Sequence, residues 1–400
     1  MAMKLKMLKS IGFSVVLLTL LFSHAVLAQD SAPKPSIADK NIVYDMDGEA
    51  KIRRASWDAS AASQPLSVAD EVGNNDVVVP VDGSNVTILC ADGKLVQVVA
   101  VMGTPPCKPI PGGADDSSTV GLIDASLTTR GDADNALLLT PNGKMLSNKP
   151  NFRWIAVKNA VQYKVVLSQN GALIWKKDYV VPSSATTMDY PKDEVALAPG
   201  EYAVKIDALN SAGRAMSFNT PVTQIVIVAD ADSKVVLDSV KAPSGKSTKA
   251  DMLAYRKARI YANNEFYADA IVTLEDALKV NVPNGTGLTY KNDKPNSLRT
   301  GALPYILLGN WYSHISLPNY ATVAYQNALM VAQQFGQPEN AAWASVQMAL
   351  VLTDLRQKYC GFATASNFFS TVLVQGSLLD QVQEDMANVA SALGYEPTCA

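Results

Sequence analysis

Apolar and polar positions fall into short runs over the first half of the chain and take up a helical period over the second. Between Asp47 and Cys107 the apolar runs are Ala50, Ile52 and Ala55 with Trp57, then Val77 to Val79, Val86 to Leu89 and Leu95 to Val101. The turn pairs Asp82-Gly83 and Asp92-Gly93 separate them, and such pairs between apolar runs predict β-hairpins. A second strand-like region runs from Leu137 to Val228, with turn residues at intervals of about 10 positions, the spacing of a β-sandwich. After residue 249 Ala, Leu, Gln and Asn dominate, and the apolar period lengthens to that of a helix. There Ala258, Tyr261, Ala270, Leu274 and Ala277 are separated by steps of 3, 9, 4 and 3, and Gly309, Tyr312, Ala321, Tyr325 and Ala328 repeat those steps 51 residues later. This pattern sets a small residue where two antiparallel helices cross and a large one in the gap beside it.

These patterns predict a multidomain β plus α protein: an all-β N-terminal half, made of a small β domain and a β-sandwich, followed by an all-α helical-repeat domain. The boundaries are 1–28 for a leader, 29–46 for a tether, 47–108 for the small β domain and 109–136 for a Pro-, Gly-, Ser- and Asp-rich linker. The sandwich takes 137–228, a second linker 229–249, and the helical domain 250–400.

The leader has the three parts of a secretory signal peptide: Lys4, Lys6 and Lys9, an apolar core from Ile11 to Leu21, and small residues at Ala25 and Ala28. That core is about half the roughly 20 apolar residues a bilayer-spanning helix needs, so cleavage is expected and no membrane anchor remains after it. Removing three lysines and no acid takes the formal net charge from -3 to -6. A mildly acidic surface does not suit nucleic acid, whose phosphates require a basic face. All four cysteines follow the leader, in two local pairs, Cys90 with Cys107 and Cys360 with Cys399. In an oxidising compartment that spacing reads as two disulfides, one for each terminal domain. The expected location is a bacterial periplasm or the cell exterior.

Three resemblances follow from particular residues. Gly48-Glu-Ala-Lys-Ile-Arg, the turn region Leu66 to Val72 and Asp92-Gly93-Lys94 resemble the FecR-like β module of bacterial extracytoplasmic proteins, with Ala69-Asp70 where that module has Gly-Asp. Pro150-Asn-Phe-Arg-Trp154, Ala160-Val-Gln-Tyr163-Lys-Val-Val-Leu167, Trp175, Tyr190-Pro191 and Leu197-Ala-Pro-Gly200-Glu-Tyr202 resemble an immunoglobulin-like or fibronectin type III domain. That resemblance implies a tryptophan packed between two sheets. The repeated helical steps, with Pro283 closing the first unit, resemble tetratricopeptide repeats, although the units lie 51 residues apart where the family has about 34. Asn284 to Thr300, rich in Gly, Asn, Lys and Pro, is inserted between them. The end of the chain reads as a capping helical pair stapled by Cys360 and Cys399, which hides the last apolar face of a repeat array.

Candidate chemistry is sparse. His24 leaves with the leader, so His314 alone remains, and a single histidine builds neither a multi-histidine zinc site nor a triad without an accompanying nucleophile motif. Gly245-Lys246-Ser247 lacks the glycine a phosphate loop needs five residues earlier, where Val240 stands. Asp45-Met-Asp47-Gly48 and Gly131-Asp-Ala-Asp134-Asn135 lack the closing glutamate of a calcium loop and read as turns. No catalytic residue, metal site or cofactor is therefore expected. The remaining candidates are aromatic: Tyr305, Trp311, Tyr312 and Tyr320 cluster near the insert and could serve either as helix-crossing core or as a contact surface.

The expected function is a non-enzymatic scaffold or adaptor of the cell envelope. Its helical repeats would hold a protein or peptide partner in a groove rimmed by Asn284 to Thr300. Envelope polysaccharide bound by exposed aromatics of the sandwich is the alternative, and the two part company on Trp154 and Trp175: the scaffold buries them, a glycan-binding face exposes them. The mature chain is expected to begin at Gln29; N-terminal sequencing of the exported protein checks this, and an intact Met1 would refute it.

Overall fold

In the computed structural model the residues described are 40–55, 62–81, 83–99, 105, 107, 138–175, 178–217, 220–241, 249–280, 298–371 and 377–399. The leader, Trp57, the linker 109–136, Gly245-Lys246-Ser247 and most of the insert lie outside them. Strands occupy the N-terminal half and helices the C-terminal half, as the change of period implies.

The first β domain contains β1 (Asn41–Asp47), β2 (Ala50–Arg53), β3 (Gln64–Leu66), β4 (Glu71–Val72), β5 (Val77–Pro80), β6 (Asn85–Leu89) and β7 (Leu95–Val99). They form a four-stranded sheet in the order β4-β1-β6-β7 and a three-stranded sheet in the order β3-β2-β5. Val43, Ile52, Val72, Val78, Val86 and Ile88 from both sheets share one core. Strand β1 corrects the tether, which ends at residue 40. Asn41-Ile-Val-Tyr is apolar enough to be buried on both faces, and the buried Asn41 side chain donates to the carbonyl oxygen of Val72 (3.1 Å) and accepts from the amide of Ala91 (2.9 Å). Where the FecR-like pattern has glycine, Ala69 takes a left-handed φ of 75°, a conformation that costs an L-residue about 1–2 kcal/mol. Cys90 and Cys107 are bonded beside the β6–β7 turn.

The second domain comprises β8 (Leu138–Thr140), β9 (Gly143–Met145), β10 (Phe152–Trp154), β11 (Gln162–Gln169), β12 (Ala172–Leu173), β13 (Tyr179–Pro182), β14 (Thr187–Met188), β15 (Gly200–Leu209) and β16 (Val222–Ile227). One sheet runs β14-β10-β8; the other runs β12-β11-β15-β16-β9, with β13 also on β11. Tyr163, Val165 and Leu167 on β11 and Tyr202, Val204 and Ile206 on β15 alternate inward and meet Phe152 and Trp154 of the facing sheet in a single core. Trp175 joins it, edge-on to Phe152, Tyr179 and Tyr190.

Within the stretch read as a second linker, α1 (Asp230–Ser239) forms a helix. Asp230 and Asp232 in its first turn favour the positive end of the helix dipole, a signal the polar composition of this segment masks. The remaining helices are α2 (Ala250–Asn263), α3 (Tyr267–Leu278), α4 (Leu303–His314), α5 (Pro318–Gln334), α6 (Pro338–Val351), α7 (Leu355–Thr371) and α8 (Ser377–Leu393). Consecutive helices pack as hairpins, α2 on α3, α4 on α5 and α6 on α7, with α8 covering α7. Three helices therefore close the array where a pair was expected. The Cys360–Cys399 disulfide ties the residues after α8 to α7.

The repeat is visible in the turns. Glu265 and Ser316, 51 residues apart, both adopt left-handed φ, 66° and 60°. The amide of Phe266 donates to Tyr261 O (3.0 Å) and that of Leu317 to Tyr312 O (2.9 Å), closing both hairpins alike. At the second crossing a Cβ on Gly309 would lie 2.3 Å from the Tyr325 ring, whereas the matching positions of the first hairpin, Ala258 and Leu274, carry a larger and a smaller residue.

Gly309→Ala is expected to lower stability by about 1–3 kcal/mol through this collision, although alanine is the better helix former by about 1 kcal/mol. Adding Tyr325→Leu, which copies the first hairpin, should recover part of the loss. Thermal melts of the single and double variants test this, and a Gly309→Ala protein as stable as the parent would contradict it.

Candidate functional site: the helical layer and what covers it

The structure places Tyr305, Trp311 and Tyr312 in the core, 0%, 6% and 1% exposed, and leaves Tyr320 half-buried. As a contact surface this set is corrected: three of its four rings fill the interior. The reason is the position of α4, which packs against α3, α5 and α6, so that Leu303 to Gly309 are buried without a break. A helix apolar all round needs cover all round. Tyr320 stacks obliquely near Tyr312, at 5.8 Å, and burial pushes its hydroxyl pKa up to about 12.

Each β domain meets a different helix of the first hairpin. On α2, Arg259 donates to the carbonyls of Lys40 (2.8 Å) and Ala91 (3.1 Å), Asn263 donates to Ala91 O (2.9 Å), and Arg256 to Gly93 O (3.1 Å). Gly93 at the β6–β7 turn lies so close to α2 that a Cβ would sit 2.6 Å from Ile260, and its φ of 83° suits glycine. Across α6, Lys40 pairs with Glu339 (2.5 Å) and Asn340 donates to Glu71. Burial works against the charge on Lys40, but Glu71 and Glu339 together outweigh it and hold its pKa above the usual lysine value. Ile42, Tyr44 and Leu89 enter the same apolar core as the helices, so the first β domain covers the side of the layer formed by α2 and α6.

The sandwich docks on α3. Glu275, 3% exposed, accepts from Arg153 of β10 (2.6 Å) and from the Tyr312 hydroxyl of α4 (2.6 Å). Burial, together with that carboxylate, keeps the Tyr312 hydroxyl protonated well above its normal range. Lys144 pairs with Glu265, the Asn142 amide donates to Ile315 O (3.3 Å), and Ala268 enters the sandwich core. Asp269 accepts from the amide of Leu146 (3.4 Å), and desolvation lifts its pKa to about 6.

Among the described residues, the features open to solvent include a cleft of about 900 Å³ between α2 and α3 and two others. One is the outward face of α5, where Asn319, Gln326, Met330, Gln333 and Gln334 are exposed and Phe335 follows. None of the 17 residues of α5 is charged, and Glu339 alone carries charge between residues 303 and 351. The other is a polar cleft of about 590 Å³ where the sandwich meets the α2–α3 and α4–α5 turns, lined in part by Tyr267 and His314. The sequence reads His314 as an ordinary helix position and gives no sign of its partner: the His314 and Tyr267 rings stack at 4.6 Å with 3° between their planes. Among the described residues no three His, Cys, Asp or Glu side chains gather as a metal site, and no helix is long and apolar enough to cross a membrane. No protein-family model matches the chain, and no curated protein matches it in sequence.

Because the folded pKa of Asp269 lies above its free value, its contribution favours folding below about pH 4 and is lost as pH rises through about 6. Asp269→Asn keeps an acceptor for Leu146 and removes that penalty. The variant is expected to gain about 1–3 kcal/mol at pH 7.5 and little at pH 4.5, measured by denaturant titration at both pH values. An equal gain at both would contradict the assignment.

Proposed function

We propose that this protein is a non-enzymatic scaffold of the bacterial cell envelope, periplasmic or surface-exposed, that binds a protein partner through the outward face of α5. The observation that carries this reading is the uncharged, solvent-exposed stripe of Asn319, Gln326, Met330, Gln333 and Gln334. Protein surfaces are about one quarter to one third charged, and charge is depleted where partners bury the centre of an interface. The resemblance of the hairpins to tetratricopeptide repeats supports the same reading, since such arrays are binding platforms. Here the α2 and α6 side is covered by the chain's own first β domain and α3 by the sandwich, which leaves the outward face of α5 for another protein. The two disulfides and the leader-like first 28 residues support an oxidising compartment.

The glycan alternative built on the tryptophans of the sandwich finds no support, because Trp154 and Trp175 are 2% and 5% exposed. A photo-crosslinking residue at Gln326 in the mature protein, exposed to envelope extract of the source cells, is expected to capture one discrete protein. Met330→Lys should weaken that capture about tenfold or more, as a charge does in the desolvated centre of an interface. Capture of polysaccharide alone, or crosslinks that form only from Leu173 on the sandwich, would defeat the proposal.

A further inference from the structure

From the cleft between the sandwich and the two hairpin turns, we infer that this protein carries a separate binding site for a neutral saccharide. One wall is the sandwich, from Asn142 to Lys144 at the start of β9 and Val222 to Gln224 at the start of β16. The other is the helical layer, from Glu265 and Tyr267 at the first turn and His314 to Ser316 at the second. Its volume, about 590 Å³, lies within the range of small-ligand sites. The Asn142 amide bonded to Ile315 O bridges the walls, so the cleft is fixed by the same docking that seats the sandwich.

The chemistry of the lining selects the ligand. The Tyr267 and His314 rings, stacked in parallel planes, supply an aromatic group at the cleft, and His314 is solvent-exposed. Flat rings accept the apolar C–H faces of a pyranose. Around the stack stand an amide, Gln224, and the hydroxyls of Thr223 and Ser316, groups that both donate and accept hydrogen bonds, as a polyhydroxylated ring requires. The two charges of the lining, Lys144 and Glu265, are paired with each other, so the cleft presents no net charge to attract an ionic ligand. An extended peptide has no strand to join here, because β9, at the edge of its sheet, packs against α3.

This site is independent of the α5 face, and the two are tested separately. Cellohexaose, maltohexaose and chitohexaose are titrated calorimetrically into the full mature protein. At least one should bind saturably with a Kd of about 1 mM or tighter. His314→Ala and Gln224→Ala, which change one side chain on each wall, should each weaken it about tenfold without moving the thermal midpoint. Met330→Lys should leave it unchanged. Absence of saturable binding by all three sugars at about 10 mM, or binding that both cleft variants leave intact, would overturn the inference.

Discussion

Glu275 is a carboxylate 3% exposed in the last turn of α3, and the docking of the sandwich on the helices follows from satisfying it. A charge buried without partners costs several kcal/mol, a large share of the roughly 5–15 kcal/mol by which a domain is stable. Its partners come from two directions, Tyr312 from the next hairpin and Arg153 from the sandwich. Helix α3 is therefore complete only when the sandwich is docked. Arg259 sets the same condition on the other side of the hairpin: at 3% exposure it needs the backbone carbonyls of Lys40 and Ala91, which the first β domain supplies. The first hairpin thus holds two β domains through two buried charges of opposite sign, inside an apolar core that includes Ile42, Tyr44, Leu89 and Leu139. What reads along the sequence as domains on linkers is, among the described residues from Lys40 onward, one compact unit.

The parts of this fold that could be read in the sequence are those specified locally. The turn pair Asp92-Gly93 located the β6–β7 hairpin, whereas the Asp82-Gly83 pair falls between β5 and β6, which belong to different sheets; alternation located β11 and β15, and the repeated steps of 3, 9, 4 and 3 located the hairpin crossings. Strand β1 was missed because Asn41-Ile-Val-Tyr does not alternate; it is covered by its own domain on one side and by helices on the other. The docking was missed because Arg259 and Glu275 look like ordinary polar positions of amphipathic helices. Their partners lie 219 and 122 residues away, and no local pattern encodes that distance.

The site was less legible than the fold for a related reason. Aromatic residues in a helix mark either a core or a surface, and the choice depends on what packs around the helix. Tyr305, Trp311 and Tyr312 went to the core because α4 is enclosed by three other helices. That Glu339 alone carries charge between residues 303 and 351 was present in the composition, but it gained meaning only once α5 was seen to keep a solvent-exposed face. His314 drew notice as the one histidine beyond the leader; the ring it stacks on, Tyr267, sits 47 positions earlier across a repeat.

The link between Lys40 and Glu339 spans 299 residues, nearly three quarters of the polypeptide. Synthesis runs from the N-terminus, so the first β domain is made long before the helices that cover Ile42, Tyr44 and Leu89. For that interval its apolar side faces water, a hazard that grows with the time a nascent chain must wait for distant contacts. Assembly of this protein is consequently governed by its last third: the strands that come first reach their final environment only after α6 has arrived.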